Sequence, residues 1–175
     1  MDPLIKFSIP LHGIGDGIHQ FEYQIGASFF KQFEQSPIQH ASVELDLELE
    51  RKPGLIILNF DFSGTVQTNC DRCLAEIQLP ISGSERILVK TSYETESNDP
   101  EIVYLSPDAE QLKIGGLVYE FIVLAVPMIK VFDCEEQDPL PCNEKMLDHL
   151  DDSEEDLDPG DNPVWEALKK FNPNK

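Results

Sequence analysis

The chain has few basic residues, and this scarcity is its most informative absence. Of its 175 residues, 13 are lysine or arginine and 33 are aspartate or glutamate, so the formal net charge is −20. Proteins bind nucleic acids largely through lysines and arginines, which displace counterions from the phosphates. Direct, non-specific binding of DNA or RNA is therefore disfavoured, and a basic protein, or one that itself sits on nucleic acid, suits this composition better as a partner.

Long apolar runs are also lacking. The longest run, residues 121–129, is about half the ~20 residues that a membrane-spanning helix needs, and Pro127 interrupts it. The first residues contain no cationic segment followed by an apolar one, so we expect no signal peptide. The sequence thus predicts a cytoplasmic protein, in which the four cysteines are metal ligands, redox groups or buried thiols rather than disulfides.

Alternation of apolar and polar residues predicts a sheet of long strands. Residues 43–50 alternate strictly, which indicates a half-buried strand whose outer face is entirely acidic. A turn at 51–54 joins it to an antiparallel partner at 56–63. The other predicted strands are 4–11, 21–25, 77–81, 87–89 and 102–105, with a bulge or bend at Gly64 and a break at Gly83.

Fewer segments have helical spacing. An aromatic cluster of Phe29, Phe30 and Phe33 predicts a short core-packing helix within 27–35. Length favours a buried helix at 117–126, with Leu124 among its apolar residues, although the β-branched content leaves a strand open.

The C-terminal part differs in composition from the rest. Residues 148–161 are too acidic to pack, which predicts a flexible linker or interaction tail. Asn162 can then cap an amphipathic helix at 162–175, whose apolar stripe includes Trp165 and Leu168. This helix either folds back on its own domain or anchors in a partner's groove, in which case Trp165 and Leu168 are partner-binding residues.

Together these patterns predict an α+β fold. The predicted domain, residues 1–147, contains an antiparallel β-sheet of long strands with two or three helices. The acidic linker and the C-terminal docking helix follow at 148–161 and 162–175.

The cysteines permit three interpretations. Cys70 and Cys73 form a C-x-x-C turn between strands, and with Cys134 and Cys142 they could hold a structural zinc ion, His149 being a substitute for one ligand. The seven-residue spacing of the second pair is wider than usual for zinc. A redox disulfide is a second possibility, but such motifs normally open a helix. In the third interpretation the thiols are reduced and pack the turn.

The tip of the same turn offers a recognition site. Asp71 and Arg72 are expected to be exposed there, which makes them candidate partner-binding residues. Arg72 is the more plausible contact to a phosphate or a carboxylate, because its guanidinium matches both geometrically.

Three motifs, in this order, resemble the YceD family of large ribosomal RNA subunit accumulation proteins. They are Cys70-Asp71-Arg72-Cys73, the apolar helix running into Pro127, and the terminal Asn162-Pro163-Val164-Trp165-Glu166-Ala167-Leu168. The resemblance covers roughly residue 25 to the C-terminus. The chain looks like a version from the Bacteroidetes side of bacteria, because Cys142-Asn143-Glu144-Lys145-Met146-Leu147 replaces the cysteine-rich ending of other branches. This difference weakens the transfer of any metal site.

The resemblance implies a non-enzymatic role in the synthesis, processing or stability of large-subunit ribosomal RNA, without catalytic residues. Given the net charge of −20, the expected partner is a basic ribosomal protein or a pre-ribosomal particle reached through one. The alternative is a zinc- or thiol-dependent enzyme of RNA processing or redox control. Histidines clustered around Cys70 and Cys73 would favour that enzyme, and the sequence has none there.

Overall fold

The described part of the chain forms two sheets and three α-helices. The computed structural model describes residues 3–93, 99, 101–131 and 142–155, so the predictions for Cys134 and for residues 162–175 lie outside the described part. The strands are β1 (Ser8–Pro10), β2 (Gly17–Ile25), β3 (Ala41–Lys52), β4 (Leu55–Asn69), β5 (Glu76–Thr91), β6 (Ile102–Leu105) and β7 (Gln111–Lys113), and the helices are α1 (Ala27–Phe30), α2 (Gly115–Ala125) and α3 (Glu144–Glu155). The predicted α+β class is confirmed.

The main sheet has five strands in the order β2-β3-β4-β5-β6. Its first four strands are antiparallel neighbours, as the alternating pattern predicts, whereas β6 pairs with β5 in parallel. The short strands β1 and β7 form a separate antiparallel pair. Because β7 directly precedes α2, this small sheet places the N-terminal segment beside the start of that helix.

The pairing of the long strands is uninterrupted, so the bulge predicted at Gly64 and the break predicted at Gly83 are wrong. Gly64 is instead required for close approach, since a Cβ built there would lie 2.6 Å from Val43 Cα and closer still to the Ser42 carbonyl oxygen. At Gly83 a Cβ would lie 2.8 Å from Cε1 of Phe62. Both glycines mark positions where a neighbouring strand leaves no room for a side chain.

The strand predicted at 4–11 is mostly wrong. Residues Pro3–Phe7 form a 3₁₀ helix and only Ser8–Pro10 pairs as a strand. Alternation over so short a segment cannot separate the two, because Phe7 in the 3₁₀ helix and Ile9 in the strand are both buried. The Arg51 guanidinium holds the segment that follows, donating hydrogen bonds of 2.6 Å to the carbonyls of Leu11 and Ile14.

The main core lies between the inner face of the five-stranded sheet and α2, α1 and the N-terminal segment. The predicted helix before Pro127 is confirmed as α2, but its buried side chains are Val118 and Ile122, and Leu124 is 80% exposed, against expectation. The aromatic helix is also shorter than predicted, since α1 spans only Ala27–Phe30.

A second, smaller apolar cluster lies at the far end of the β4–β5 hairpin. It buries Cys70, Cys73, Ile77 and Leu79, and Leu147 of α3 packs against it. Helix α3 covers the first eight residues of the segment predicted as an acidic linker, 148–161, so the domain boundary predicted after residue 147 falls within this helix. Within the described ranges no helix is long and apolar enough to cross a membrane.

Candidate functional site

The outer face of the five-stranded sheet is acidic. Strand β3 places Glu44, Asp46, Glu48 and Glu50 there, because every second residue of a strand points to the same side. The strand register adds two further carboxylates: Asp46 is paired with Glu22 of β2 on one side and with Asp61 of β4 on the other. Glu22, Asp46 and Asp61 are therefore direct cross-strand neighbours on three adjacent strands. We call the residues Glu22, Glu44, Asp46, Glu48, Glu50 and Asp61 the acidic face.

Few positive charges balance this face. In the part of the chain that the structure describes there is one salt bridge, between Lys52 and Glu50, with 2.8 Å between Nζ and Oε1, and it lies at the end of β3. Two of the other carboxylates accept hydrogen bonds from neutral amides: Gln24 Nε2 donates to Glu44 at 3.0 Å and Asn59 Nδ2 donates to Glu48 at 3.2 Å. Like charges directly opposite on a sheet are destabilising, so this arrangement has a folding cost.

The middle of the acidic face contains a shallow concavity of about 320 Å³. Its lining residues are Gln20, Phe21, Glu22, Asp46, Leu47, Glu48 and Asp61. Glu22, Asp46 and Asp61 are all solvent-exposed. A concavity with carboxylates on its walls favours a cationic side chain such as lysine or arginine, because each carboxylate attracts positive charge and accepts hydrogen bonds.

The C-x-x-C turn closes the β4–β5 hairpin, as its position between two strands predicts. The last strand pair is Asn69 with Glu76, and within the turn Cys70 N–H donates to the Ala75 carbonyl at 2.8 Å. Leu74 has a φ of +58°, a left-handed conformation that non-glycine residues rarely adopt. This reversal leaves Leu74 57% exposed, while Cys70 and Cys73 are buried at 2% and 1% exposure.

Cys142 approaches the first two cysteines, although it lies 69 positions after Cys73 in the sequence. It packs against the small cluster that contains Cys70 and Cys73. The backbone N–H groups of Asn143 and Ala75 lower the pKa of the Cys73 thiol, because they donate hydrogen bonds to its thiolate form. Burial opposes this effect, and contacts with Cys70 and Cys142 add to it.

The described residues do not by themselves form a metal site. No group of three or more histidine, cysteine, aspartate or glutamate side chains among them is arranged to hold a metal ion. Three of the four predicted ligands, Cys70, Cys73 and Cys142, nevertheless lie in one apolar cluster. The fourth, Cys134, lies outside the described ranges. Zinc binding by Cys70, Cys73, Cys134 and Cys142 stays a prediction.

The predicted partner-binding residues separate into two groups. Asp71 and Arg72 are exposed at the tip of the turn, as expected. However, Asp71 Oδ2 accepts a hydrogen bond of 2.7 Å from the backbone N–H of Lys130, so its carboxylate has a structural contact that the sequence did not reveal. Trp165 and Leu168 lie outside the described residues.

Sequence reasoning found only part of the acidic face. The alternation of β3 showed four of its carboxylates, and that of the hairpin partner β4 placed Asp61 on the same outer side, but Glu22 joined them only through the strand register. The signal for Glu22 was present in the alternation of Gln20, Glu22 and Gln24 with apolar residues. The sequence did not show that this strand pairs with β3 and not with another.

Comparison with known proteins gives one family. A family model described as "Large ribosomal RNA subunit accumulation protein YceD" matches residues 58–172, which is more than half of the chain. The description names an accumulation factor and no enzymatic reaction. No curated protein and no solved structure matches the chain significantly.

Proposed function

This chain belongs to the YceD family of large ribosomal RNA subunit accumulation proteins, and from that membership we propose that it is a cytoplasmic, non-enzymatic accessory factor in large-subunit biogenesis. It supports large-subunit ribosomal RNA indirectly, by binding a basic ribosomal protein on the acidic face. The observation that carries this proposal is the row of Glu22, Asp46 and Asp61 across three adjacent strands.

Electrostatics favours a protein partner over RNA. A formal net charge of −20 repels phosphates at long range, and within about 10 Å, the Debye length at 0.1 M salt, the exposed carboxylates of the row repel them directly. Ribosomal proteins that bind RNA must present lysines and arginines, and before assembly those side chains lack their phosphate partners. The acidic face can neutralise them temporarily, and RNA can displace it later because both compete for the same charges.

Position also suits the face for this role. Strand β2 is an edge strand of the sheet, so an extended basic segment can reach the row from the side of Glu22. The concavity between Glu22, Asp46 and Asp61 can take one long cationic side chain. Glu44 and Glu48 lie two residues before and after Asp46 on β3, where they can contact further cationic side chains. Arg72 lies at the tip of the β4–β5 turn, and we propose it as a second contact, to a carboxylate or phosphate.

The test uses two variants with the same change in net charge. In one, the row is neutralised by Glu22→Gln, Asp46→Asn and Asp61→Asn. In the matched control, three exposed acids elsewhere are neutralised by Glu34→Gln, Asp108→Asn and Glu110→Gln. Tagged full-length proteins are used to capture partners from nuclease-treated lysate, and the bound proteins are identified by mass spectrometry.

We expect the wild-type chain and the control variant to recover basic large-subunit ribosomal proteins, and the row variant to recover them several-fold less. Equal loss in both variants would show that only net charge matters and would contradict the role of the row. Recovery from a parallel untreated lysate that is absent from the nuclease-treated one would show that RNA bridges the contact and would contradict direct binding. Absence of ribosomal proteins from the wild-type capture would overturn the proposal itself.

A further inference from the structure

Exposed apolar side chains are concentrated beside the C-x-x-C turn. Leu74 is 57% exposed, Leu124 80%, Met128 97% and Ile129 73%. We call these four residues the apolar patch. Exposed hydrophobic residues scattered singly are normal on a protein surface, but four of them on two chain segments that are hydrogen-bonded to each other indicate a binding surface.

Two hydrogen bonds hold the parts of the patch together. Asp71 N–H donates to the Lys130 carbonyl at 2.8 Å, and Lys130 N–H donates to the Asp71 carboxylate at 2.7 Å. They fix the segment after α2, which contains Met128 and Ile129, against the turn that contains Leu74. Leu124 lies in the last turn of α2, directly before that segment. The patch is therefore a defined surface built on ordered backbone.

We propose that the apolar patch binds the C-terminal segment of the same chain, residues 162–175. This segment contains the apolar stripe Val164, Trp165, Leu168 and Phe171, whose spacing places all four on one face of a helix. A helix of about 14 residues is marginally stable alone in water, so the stripe needs an apolar surface to cover.

The path of the chain supports this occupant. Cys142 and Leu147 pack against the cluster of Cys70 and Cys73, so the chain begins α3 next to the turn that bears Leu74. From the end of α3 at Glu155, residues 156–161 can extend about 20 Å, at roughly 3.3–3.6 Å per residue. Helix α3 itself is about 18 Å long at 1.5 Å per residue, so the connection is long enough to return to the patch.

Charge supports it as well. Residues 162–175 contain three lysines and one glutamate, a formal charge of +2. The whole chain carries −20, which leaves −22 for the remainder. The C-terminal segment is therefore attracted to the rest of its own chain, and its tether gives it a high effective concentration there.

Trp165 is the only tryptophan of the chain, so tryptophan fluorescence, excited at a wavelength that tyrosine does not absorb, reports on this segment alone. Two variants are compared with the wild type. Met128→Ser with Ile129→Ser removes the most exposed part of the patch, and Ile5→Ser with Ile18→Ser removes two similarly exposed residues elsewhere, at 62% and 63%. Because all four side chains project into solvent, neither variant should unfold the domain, and circular dichroism verifies this.

In the wild type we expect emission at shorter wavelength than in the urea-unfolded chain, and acrylamide quenching that is several-fold weaker. The patch variant should shift both measurements towards their unfolded values, and the control variant should leave them unchanged. The emission wavelength and the quenching should also be independent of protein concentration, since the proposed contact is within one chain. Quenching equal to that of the unfolded chain, or insensitive to the patch variant, would overturn the proposal.

Two other occupants give different results. Shielding of Trp165 that increases with protein concentration, together with dimer formation in sedimentation, would assign the patch to a second copy of the chain and contradict the proposal. Trp165 that is accessible in the isolated chain and becomes shielded only on adding purified basic ribosomal protein would assign the segment to a partner. Neither result would affect the proposed role of the acidic face, which involves different residues.

Discussion

Asp71 and Lys130 exchange two hydrogen bonds across 59 residues of sequence. The Asp71 N–H donates to the Lys130 carbonyl at 2.8 Å, and the Lys130 N–H donates to Asp71 Oδ2 at 2.7 Å. One residue of the C-x-x-C turn thus fixes the chain segment after α2. This contact gives an exposed aspartate at the tip of a turn a role in the fold.

Replacing Asp71 with alanine should destabilise the protein by about 1 kcal/mol, because the Lys130 N–H loses a charged acceptor at a site where water can partly replace it. Urea unfolding followed by circular dichroism measures the change. The matched control is Arg72→Ala at the neighbouring exposed position, which should stay within about 0.5 kcal/mol of wild type. Equal effects of both substitutions would contradict the importance of the Asp71–Lys130 contact.

Replacing Gly64 with alanine should destabilise the protein by about 1–3 kcal/mol, the usual range for overpacking a close-packed site. The new methyl group would meet the backbone of Ser42 and Val43 on the paired strand, which cannot move as a flexible side chain can. Thermal unfolding gives the readout. Gly13→Ala is the control, since a Cβ there meets nothing within 4 Å, and a loss of stability similar to that of Gly64→Ala would refute the argument.

Neutralising Asp46 alone should stabilise the fold by about 0.2–1 kcal/mol at low salt, because Asp46 stands between Glu22 and Asp61 and cross-strand repulsion has this size. The gain from Asp46→Asn should shrink as salt is added, since ions screen exposed charges. Glu34→Gln serves as a control for net charge. If urea unfolding shows the two variants to be equally stable at every salt concentration, the row carries no repulsion.

The titration of Cys73 predicts a rise in stability under alkaline conditions. Folding lowers the pKa of this thiol, so the unfolded chain holds the proton more tightly. As pH rises from the folded pKa towards the unfolded pKa, about 8.5, the free energy of unfolding should increase. This gain in the free energy of unfolding should be lost as pH falls through the folded pKa.

Urea unfolding between neutral pH and pH ~9, in reductant and chelator, measures this change. A Cys73→Ser variant should lack the rise, because serine does not titrate in this range. The window must end below about pH 10, since burial raises the pKa of Tyr23 and its contribution has the opposite sign. A wild-type stability that falls steadily over the window would contradict the lowered pKa of the Cys73 thiol.

Zinc binding is tested on full-length protein purified without chelator. The four-thiolate hypothesis predicts about one zinc ion per chain, and a loss of stability when a chelator removes it. Cys134→Ser and His149→Ala form a matched pair, because the substitution that lowers the zinc content identifies the fourth ligand beside Cys70, Cys73 and Cys142. Less than about a tenth of an equivalent of zinc, with stability unchanged in chelator, would exclude the hypothesis.

Much of the fold was predictable from local pattern. The strict alternation of β3 and β4 predicted both strands and the acidic outer face of β3, and Pro127 predicted the end of α2. The failures have specific causes. From the sequence, Gly64 and Gly83 are indistinguishable from glycines that interrupt a strand, because the crowding by the paired strand is a tertiary contact. Leu124 was predicted to be buried, but which side of α2 faces the sheet is also decided by tertiary packing.

The candidate site was predictable to a smaller extent, because its geometry arises from contacts distant in sequence. Nothing local shows that Asp46 faces Glu22, that Arg51 binds the carbonyls of Leu11 and Ile14, or that Cys142 approaches Cys73. The left-handed conformation of Leu74 was equally hidden, since leucine does not signal it as glycine would.

The sequence by itself determined the charge of this protein, the long hairpin and the position of the C-x-x-C turn, because composition and two-residue periodicity act over a few neighbouring residues. Only the tertiary structure decided which carboxylates form a row, which thiols meet, and which apolar residues remain exposed beside Asp71 and Lys130. These are outcomes of strand register and packing, which depend on the whole chain.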